Sequence, residues 1–290
     1  MSRRASLMLV FLLPAALLGA LHALGLTLPV PALGRNYVVR FELPPAGIPA
    51  DLPRVQGPQD ASRPLVVIDA GHGGHDPGAS AGALREKDLV LALALALRDE
   101  LLRGGGIRVA LTREDDRFLV LGERAAVART LGADLFLSIH ADSSGAIDGV
   151  RGASIYTLSD QASSEAAARF AARENSADSI NGVPLAGQSD AVSSILVDLA
   201  QRRTQGDSAA FAGLIVREGE GVLQFHPQAR RSASLAVLRA PDVPGVLYES
   251  GFITDPEEAK RLASPAGQRA FAEVLARAIR IYFARRSSAG

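Results

Sequence analysis

Short apolar runs alternate along this chain with longer stretches of mixed apolar and polar residues, and the pattern begins at Leu65. The apolar runs have the length of buried strands, and they are Leu65–Asp69, Ile107–Thr112, Leu135–His140, Ala153–Thr157 and Val246–Glu249. The stretches that favour helices are Asp88–Arg103, Leu121–Leu131 and Phe271–Ala284. Strands that alternate with helices predict an α/β fold, in which a mostly parallel twisted sheet carries helices on both faces.

The stretch Asp88–Arg103 allows two interpretations, because its leucines recur at every second position, as in a strand. The alanines between these leucines and the charged residues at both ends favour a buried helix, and the glycines at 104–106 would end it. We therefore predict a helix here.

Two segments interrupt the alternation of strands and helices. Residues 26–64 contain half of the 16 prolines of the chain, which predicts an extended tether. The segment Ser159–Ala236 is rich in alanine and charged residues, and we interpret it as a helical insertion. The expected organisation is therefore one domain over residues 65–286 that carries the insertion.

The N-terminus has the pattern of an export signal. Arg3 and Arg4 precede an apolar stretch from Leu7 to Leu28, which predicts a signal peptide over residues 1–25. The alternative is a retained N-terminal membrane anchor, because the stretch is long enough to span a bilayer. In both cases we expect the rest of the chain to be exported to the periplasm, secreted or tethered to the inner membrane, with no other contact with the membrane.

The composition narrows the chemistry. The chain has 31 basic and 31 acidic side chains, no tryptophan and four tyrosines. It therefore has neither the basic excess nor the aromatic residues that are typical of nucleic-acid binding, and we do not expect that function. Cysteine is absent, so the chain has no disulfides, and a metal would be held by histidine and carboxylate.

Two histidines follow predicted strands. His72 lies in a glycine-rich loop after the first strand, and His140 ends the third. The carboxyl ends of strands in an α/β sheet converge on one edge, so these imidazoles can meet there. Glu86 lies at the start of the next helix. It is either a third ligand or an ordinary first-turn carboxylate that the helix dipole stabilises. Two imidazoles and one carboxylate form a catalytic zinc set with one position left for water.

Glu249 ends an apolar strand, where a buried carboxylate is costly without a partner, and it is the candidate general base. In the first loop, Asp76 is interpreted as a turn residue and His75 as a surface residue. Asp69 is expected to hydrogen-bond His72 or the loop backbone. His226 is expected to pack or to form hydrogen bonds.

Several segments together resemble the zinc-dependent N-acetylmuramoyl-L-alanine amidases of type 3. They occur in the order of the family: Val67–Gly74, Glu86–Asp88, Thr112–Arg113, Phe136–Asp142 and Leu247–Asp255. The resemblance implies that His72, Glu86 and His140 bind one Zn²⁺ and that Glu249 is catalytic. It also implies that the chain cleaves the amide between N-acetylmuramic acid and L-alanine of peptidoglycan, with a role in cell-wall remodelling and daughter-cell separation.

The predicted insertion resembles that of the division-type members of this family, in which a helix blocks the zinc cleft until an activator protein displaces it. Glu174 is the candidate inhibitory ligand, and its alternative is an ordinary solvated carboxylate. The competing candidates are Glu165, Glu218 and Glu220. Division-type members commonly have an N-terminal targeting domain where this chain has the tether, so targeting to the division site does not follow.

Three other functions fit parts of the pattern. The first is a zinc carboxypeptidase or endopeptidase that acts on the stem peptide, and the second is a catalytically silent wall-binding scaffold. The third is a phosphate-binding loop, but the glycine-rich segment lacks the lysine and the spacing of a P-loop.

Overall fold

The computed structural model describes residues 52–143, 151–177, 179–180, 183–184, 194–240 and 242–287. The predicted signal peptide at 1–25 and the first part of the tether, residues 26–51, lie outside the described residues. Within the described ranges, no helix is both long and apolar enough to cross a membrane.

One six-stranded sheet forms the centre of the fold. Its strands are β1 (Leu65–Ala70), β4 (Arg108–Leu111), β5 (Leu135–Asp142), β6 (Ala153–Leu158), β9 (Phe225–Ala233) and β10 (Gly245–Phe252). They lie in the order β4-β1-β5-β10-β6-β9, and only the β10–β6 pair is antiparallel. Two short hairpins, β2 (Ser80–Ala81) with β3 (Leu84–Arg85) and β7 (Ser179–Ile180) with β8 (Val183–Pro184), lie outside this sheet. The predicted mostly parallel sheet is confirmed.

Helices cover both faces of the sheet, as predicted. They are α1 (Glu86–Gly104), α2 (Leu121–Thr130), α3 (Glu165–Asn175), α4 (Ser194–Gly219), α5 (Pro256–Ala263) and α6 (Pro265–Ser287). Apolar residues of α1, α4 and α6 bury one face, and those of α2 and α3 bury the other. The leucine-rich stretch is the helix α1.

The segment Ser159–Ala236 differs from the expected helical insertion. Its last part, β9, is an edge strand of the main sheet, and the second half of α4 places Phe211 and Ile215 in the core beside α6. Of the described part of the segment, α3 and the β7–β8 hairpin lie outside the strand–helix framework. The expectation of a wholly helical insertion is therefore wrong, because this segment completes both the sheet and one helix layer.

The register of the parallel strands brings the polar strand ends together. Ser138 pairs with Asp69 on one side of β5, and His140 pairs with Glu249 on the other. Because residues in register lie on the same face of a sheet, His140 and Glu249 project together from the carboxyl edge, on the face that α3 covers.

Candidate metal centre

The loop after β1 has an unusual backbone at His72. This residue has a φ of 59°, the one positive φ among the non-glycine residues that the structure describes. The preceding Gly71 has no room for a side chain, since a Cβ there would lie 2.4 Å from Cε1 of His140. The loop therefore brings the Gly71 backbone close to the His140 ring.

Two buried arginines hold the carbonyl groups of this loop. Arg113 donates from Nε to the carbonyl of Ala70 at 2.9 Å and from Nη2 to that of Gly71 at 2.7 Å. Arg124 donates to the carbonyls of Ala70 at 2.9 Å and His72 at 2.8 Å. The planar guanidinium groups thus fix three consecutive carbonyls. Sequence reasoning assigned no role to Arg124 and matched Arg113 only as part of a motif.

Asp76 sets the orientation of the His72 ring. Its Oδ2 lies 2.8 Å from Nδ1 of His72, and its Oδ1 accepts a hydrogen bond from the Gly78 amide at 3.0 Å. The expectation that Asp69 contacts His72 is wrong, because Asp69 accepts hydrogen bonds from Thr112, Ser138 and Arg124. The interpretation of Asp76 as a turn residue only was incomplete. His75 lies on the surface as expected.

The other ring nitrogen of His72 faces His140 and Glu86. Oε1 of Glu86 lies 3.0 Å from Nε2 of His72 and 3.3 Å from Nδ1 of His140. Glu86 is the first residue of α1, and its carboxylate is held by the backbone amides of Ala79 at 2.8 Å and Ala141 at 2.9 Å. The structure thus brings the three predicted ligands to one point.

Glu174 reaches the same point from α3. Its Oε2 lies 3.3 Å from Nδ1 of His140 and 3.9 Å from Nε2 of His72. The competing candidates lie elsewhere: Glu165 and Glu220 are exposed, and Glu218 pairs with Arg217 and Arg277. Among the four glutamates considered, Glu174 is the one that reaches the imidazoles.

The residues present fit a zinc ion. Nε2 of His72 and Nδ1 of His140 are buried and have no hydrogen-bond partner in the part of the chain that the structure describes, although both face the same carboxylates. Ligand atoms of His72, His140 and Glu174 all lie within 4.8 Å of one another. Imidazole nitrogens and carboxylate oxygens are ordinary zinc ligands, and the absence of cysteine leaves this donor set as the one the composition allows.

The electrostatics of the cluster also favour a cation. Burial opposes protonation of His72, but Glu86 and Asp76 outweigh it and raise the pKa of His72 to about 10. Burial acts against ionisation of Glu86, but the two histidines lower its pKa below the usual range. The cluster therefore attracts positive charge, and a dication would displace protons from it.

Glu249 is buried beside this cluster. Within the described ranges, neither of its carboxylate oxygens has a hydrogen-bond partner. Burial, together with the charges of Asp142 and Glu86, raises the pKa of Glu249 well above its ordinary value. Burial also raises the pKa of Asp142 to about 6, although Arg173 opposes the shift. A carboxyl group with raised proton affinity suits a residue that accepts and returns a proton.

Three contacts hold α3 over the site. Arg173 pairs with Asp142 at the end of β5. The Phe170 ring stacks on Tyr156 of β6, with 4.4 Å between the centroids. The Asn175 side chain donates to the carbonyl of Ser234 and accepts from the amide of Ala236, both at 2.8 Å.

A cleft of about 270 Å³ opens beside the cluster. Among the residues that line it are Asp76, Gly78 and Glu86 on one side and Arg173, Glu174 and Ser176 on the other. The cleft thus gives solvent access between the first loop and α3.

The comparison with protein families agrees with this geometry. The profile of the N-acetylmuramoyl-L-alanine amidase family matches residues 66–280, which contain every residue of the cluster. The chain belongs to this family. The family predicted from the sequence is therefore confirmed.

Among the relatives of this amidase-family chain are two bacterial N-acetylmuramoyl-L-alanine amidases. The one named AmiC, from Neisseria meningitidis serogroup B, is 37% identical over 240 residues, which cover 80% of this chain and 57% of the relative. The one named AmiA, from Salmonella typhimurium, is 37% identical over 224 residues, which cover 77% of each chain. The chain thus spans little more than half of the length of the first.

Two solved amidase structures share the fold. The AmiC2 amidase of Nostoc punctiforme is 27% identical with a TM-score of 0.54, and the match covers 76% of this chain and 97% of that one. The catalytic domain of CwlV from Bacillus (Paenibacillus) polymyxa is 26% identical with a TM-score of 0.55, and it covers 76% and 98%. The α/β fold predicted for this chain is confirmed.

Proposed function

We propose that this chain is a zinc amidase that cleaves the bond between the lactyl group of N-acetylmuramic acid and L-alanine in peptidoglycan. The observation that carries the proposal is the meeting of Nε2 of His72, Nδ1 of His140 and Oε1 of Glu86. The two nitrogens lack hydrogen-bond partners among the described residues, and a bound metal ion would satisfy them. His72, Glu86 and His140 are the proposed zinc ligands.

Glu249 acts as the general base and then as the general acid. Zinc, when bound, polarises the amide carbonyl and makes water more acidic. Glu249 accepts the proton of the attacking water on a carboxylate oxygen and delivers it to the amine of the departing L-alanine. Its buried position beside other carboxylates makes it a strong enough base to hold that proton. Asp76 keeps the His72 ring in place during these steps.

We propose that α3 inhibits this reaction in the described conformation. Glu174 occupies the side of the cluster from which water or substrate would approach His72 and His140. An activator protein that pulls α3 off the sheet would break the contacts of Arg173, Phe170 and Asn175, and would thereby expose the site. Peptidoglycan is the expected substrate, and export to the periplasm with a role in daughter-cell separation is the expected context.

The first test is hydrolysis of purified peptidoglycan by the Glu249→Gln variant. We expect the variant to bind zinc and to lose activity by a factor on the order of 10² to 10⁴, as for removal of a general base. The wild-type chain should release intact stem peptides with a free L-alanine terminus, as read by mass spectrometry. Wild-type turnover by the variant would contradict the role of Glu249.

The same products separate the alternatives. Shortened stem peptides would indicate a carboxypeptidase or endopeptidase, and binding to the wall without any product would indicate a silent scaffold. Glu174→Ala should raise the basal activity, and Glu165→Ala on the exposed side of the same helix is the control. Equal activity in both variants would rule out inhibition by Glu174.

A further inference from the structure

One arginine on the face of the sheet that carries Glu249 has no role in the proposed chemistry. Arg231 of β9 pairs with Tyr156 of β6, whose ring stacks on Phe170 of α3. The Arg231 guanidinium carbon lies 5.9 Å from the centre of the Tyr156 ring, and Nη1 donates to the Tyr156 hydroxyl at 3.2 Å. Tyr156, His226 and Arg231 are called the Arg231 patch below.

Neutral groups orient Arg231. Its Nε donates to the carbonyl of Gln228 at 3.0 Å, and its Nη2 donates to Nδ1 of His226 at 2.9 Å. The amide of Gln228 also donates to this Nδ1, so the imidazole acts as an acceptor. Within the described part of the chain, no carboxylate lies at ion-pair distance from Arg231. Its half-buried charge is therefore fixed in direction but not neutralised.

The Arg231 patch lies on the same face of the sheet as Glu249. Glu249 pairs with Ser154 of β6, and Tyr156 follows Ser154 by two residues, so both project from one face. Arg231 shares that face because it pairs with Tyr156. The strand order β5-β10-β6-β9 therefore places His140, Glu249, Tyr156 and Arg231 on one face of the sheet. Tyr156 and Arg231 lie level with Leu247, two residues before Glu249 along β10.

A long substrate at the metal centre would meet different charges on its two sides. Toward β1, the cleft is lined by the carboxylates of Asp76, Glu86 and Asp142. Toward β9, the Arg231 guanidinium offers the planar fork that binds carboxylates. Helix α3 covers Tyr156 through Phe170, so release of α3 would open a surface that continues from Glu249 to Arg231.

We propose that the Arg231 patch is a substrate subsite that binds a carboxylate of the stem peptide, with the Tyr156 ring beneath the adjoining peptide backbone. The proposal rests on the proposed function, since it takes α3 as the helix that covers the substrate face. Stem peptides carry a free carboxylate on the residue after L-alanine, one residue beyond the bond that is cleaved. A carboxylate there would be attracted by Arg231, whereas the carboxylates of the cleft already pair with His72 and Arg173.

The test compares the binding of two soluble muramyl dipeptides, in which the second residue bears either a carboxylate or a carboxamide. Calorimetry on the zinc-loaded full chain with Glu174→Ala, Asn175→Ala to loosen α3 and Glu249→Gln measures both dissociation constants without hydrolysis. We expect the carboxylate to bind about tenfold more tightly than the carboxamide. Adding Arg231→Gln should abolish this preference, and Arg231→Lys should retain part of it, because lysine keeps the charge and loses the fork.

Arg230→Gln is the matched control. It removes the same charge from the neighbouring residue, which pairs with Ile155 and so lies on the opposite face. The tenfold preference should survive in this variant. A preference that also survives in Arg231→Gln, or that is absent before that change, would overturn the subsite.

The proposed function is tested separately by hydrolysis in the Glu174→Ala chain with Glu249 intact. Both proposals are supported if Arg231→Gln abolishes the preference for the carboxylate and the Glu174→Ala chain hydrolyses the amide. A chain that prefers the carboxylate but releases no L-alanine amine would contradict the amidase and leave the subsite standing. Zinc content and melting temperature of each variant report whether the metal centre and the fold are intact.

Discussion

His72 combines a rare backbone conformation with the role of a proposed ligand. A residue held at positive φ costs on the order of 1–3 kcal/mol, so the surrounding structure must compensate. The guanidinium groups of Arg113 and Arg124 do so through the loop carbonyls, and Asp76 does so through the ring. The nitrogen that faces the cluster is thus oriented by the protein itself.

Asp76→Asn should weaken zinc binding because an amide holds the His72 ring less well than a carboxylate does. Loss of such a partner typically costs about 10- to 100-fold in metal affinity. Competition with a chelator measures the change, and the control is Asp115→Asn in an exposed loop carboxylate. Equal affinity in the two variants would show that Asp76 does not support the ligand.

Gly71→Ala should disturb His140. The added Cβ would lie 2.4 Å from Cε1 and 2.5 Å from Nε2 of that ring, so the imidazole must move. We expect a loss of zinc content and a lower melting temperature, as for overpacking, which costs about 1–3 kcal/mol. Gly122→Ala is the matched control, since no atom lies within 4 Å of its added Cβ. A zinc content equal to that of this control would contradict the steric argument.

The sequence was sufficient to propose three zinc ligands and a general base, which are His72, Glu86, His140 and Glu249. The carboxyl ends of the strands converge at one edge, and a carboxylate at the end of an apolar strand is costly to bury without a partner. The sequence did not predict the contact of Asp76 with His72. His72 has a positive φ, and the sequence of a glycine-rich loop does not indicate that its histidine adopts this backbone conformation. The assignment of Asp69 failed because Arg124, from a helix distant in sequence, takes its carboxylate.

Among the elements, α3 packs on the fold through the buried Ala167, Phe170 and Ala171, and its C-terminal end adds hydrogen bonds. Asn175 links the helix to the backbone that follows β9, and Phe170 provides the apolar contact. Exposed charges such as Arg169 and Glu165 pair with each other on the outer side. The proposed inhibited position of α3 therefore depends on its buried apolar side and on the hydrogen bonds of Asn175.

Asn175→Ala should loosen α3 and raise the basal amidase activity. Two hydrogen bonds are lost, and at about 1 kcal/mol each the released population would grow roughly 30-fold. Dye release from labelled peptidoglycan measures the activity. Arg169→Ala, on the outer side of the same helix, is expected to change little. Unchanged activity in Asn175→Ala would show that this contact does not restrain α3.

The elements of the core were predicted where hydrophobic periodicity is clear. The edge strand β9 was missed because its sequence, with Pro227 and two adjacent arginines, lacks the alternation of a half-buried strand. The burial of Phe211 in the core was also missed, because alanine and charge around it resemble an exposed helix. In both cases tertiary packing decides what the local sequence leaves open.

For the molecule as a whole, the buried carboxylate of Glu249 lowers the stability of the fold when it is ionised. Burial raises the folded-state pKa of Glu249 above the unfolded value, so the folded chain binds the proton more tightly. Stability is unaffected below the unfolded pKa, and it falls as the pH rises toward the folded pKa. Ionised Glu249 is therefore destabilising at neutral pH.

Glu249→Gln should therefore stabilise the zinc-free chain at pH 8 but not at pH 4, where the wild-type carboxyl is protonated. Each kcal/mol corresponds to roughly 2–4 °C in melting temperature for a domain of this size. Thermal unfolding in a chelator at both pH values measures the difference. The reverse order, with a gain at pH 4 alone, would contradict the buried-carboxylate argument.

Zinc should stabilise the folded chain, since it binds the assembled cluster and not the unfolded one. At 1,000 times the dissociation constant the gain is about 4 kcal/mol, or roughly 10 °C in melting temperature. Removal by a chelator should reverse the shift. His72→Ala should abolish most of it, and an equal shift in that variant would place the metal elsewhere.

The carbonyl clamp of Arg113 and Arg124 has a consequence for engineering. Its acceptors include the main-chain oxygens of residues 70–72, so part of the support of the loop does not depend on the side chain at position 72. Another ligand type, such as aspartate, which tolerates a positive φ better than most residues, could be installed there on an unchanged backbone. The proposed ligand position 72 is therefore a place at which the choice of metal can be redesigned.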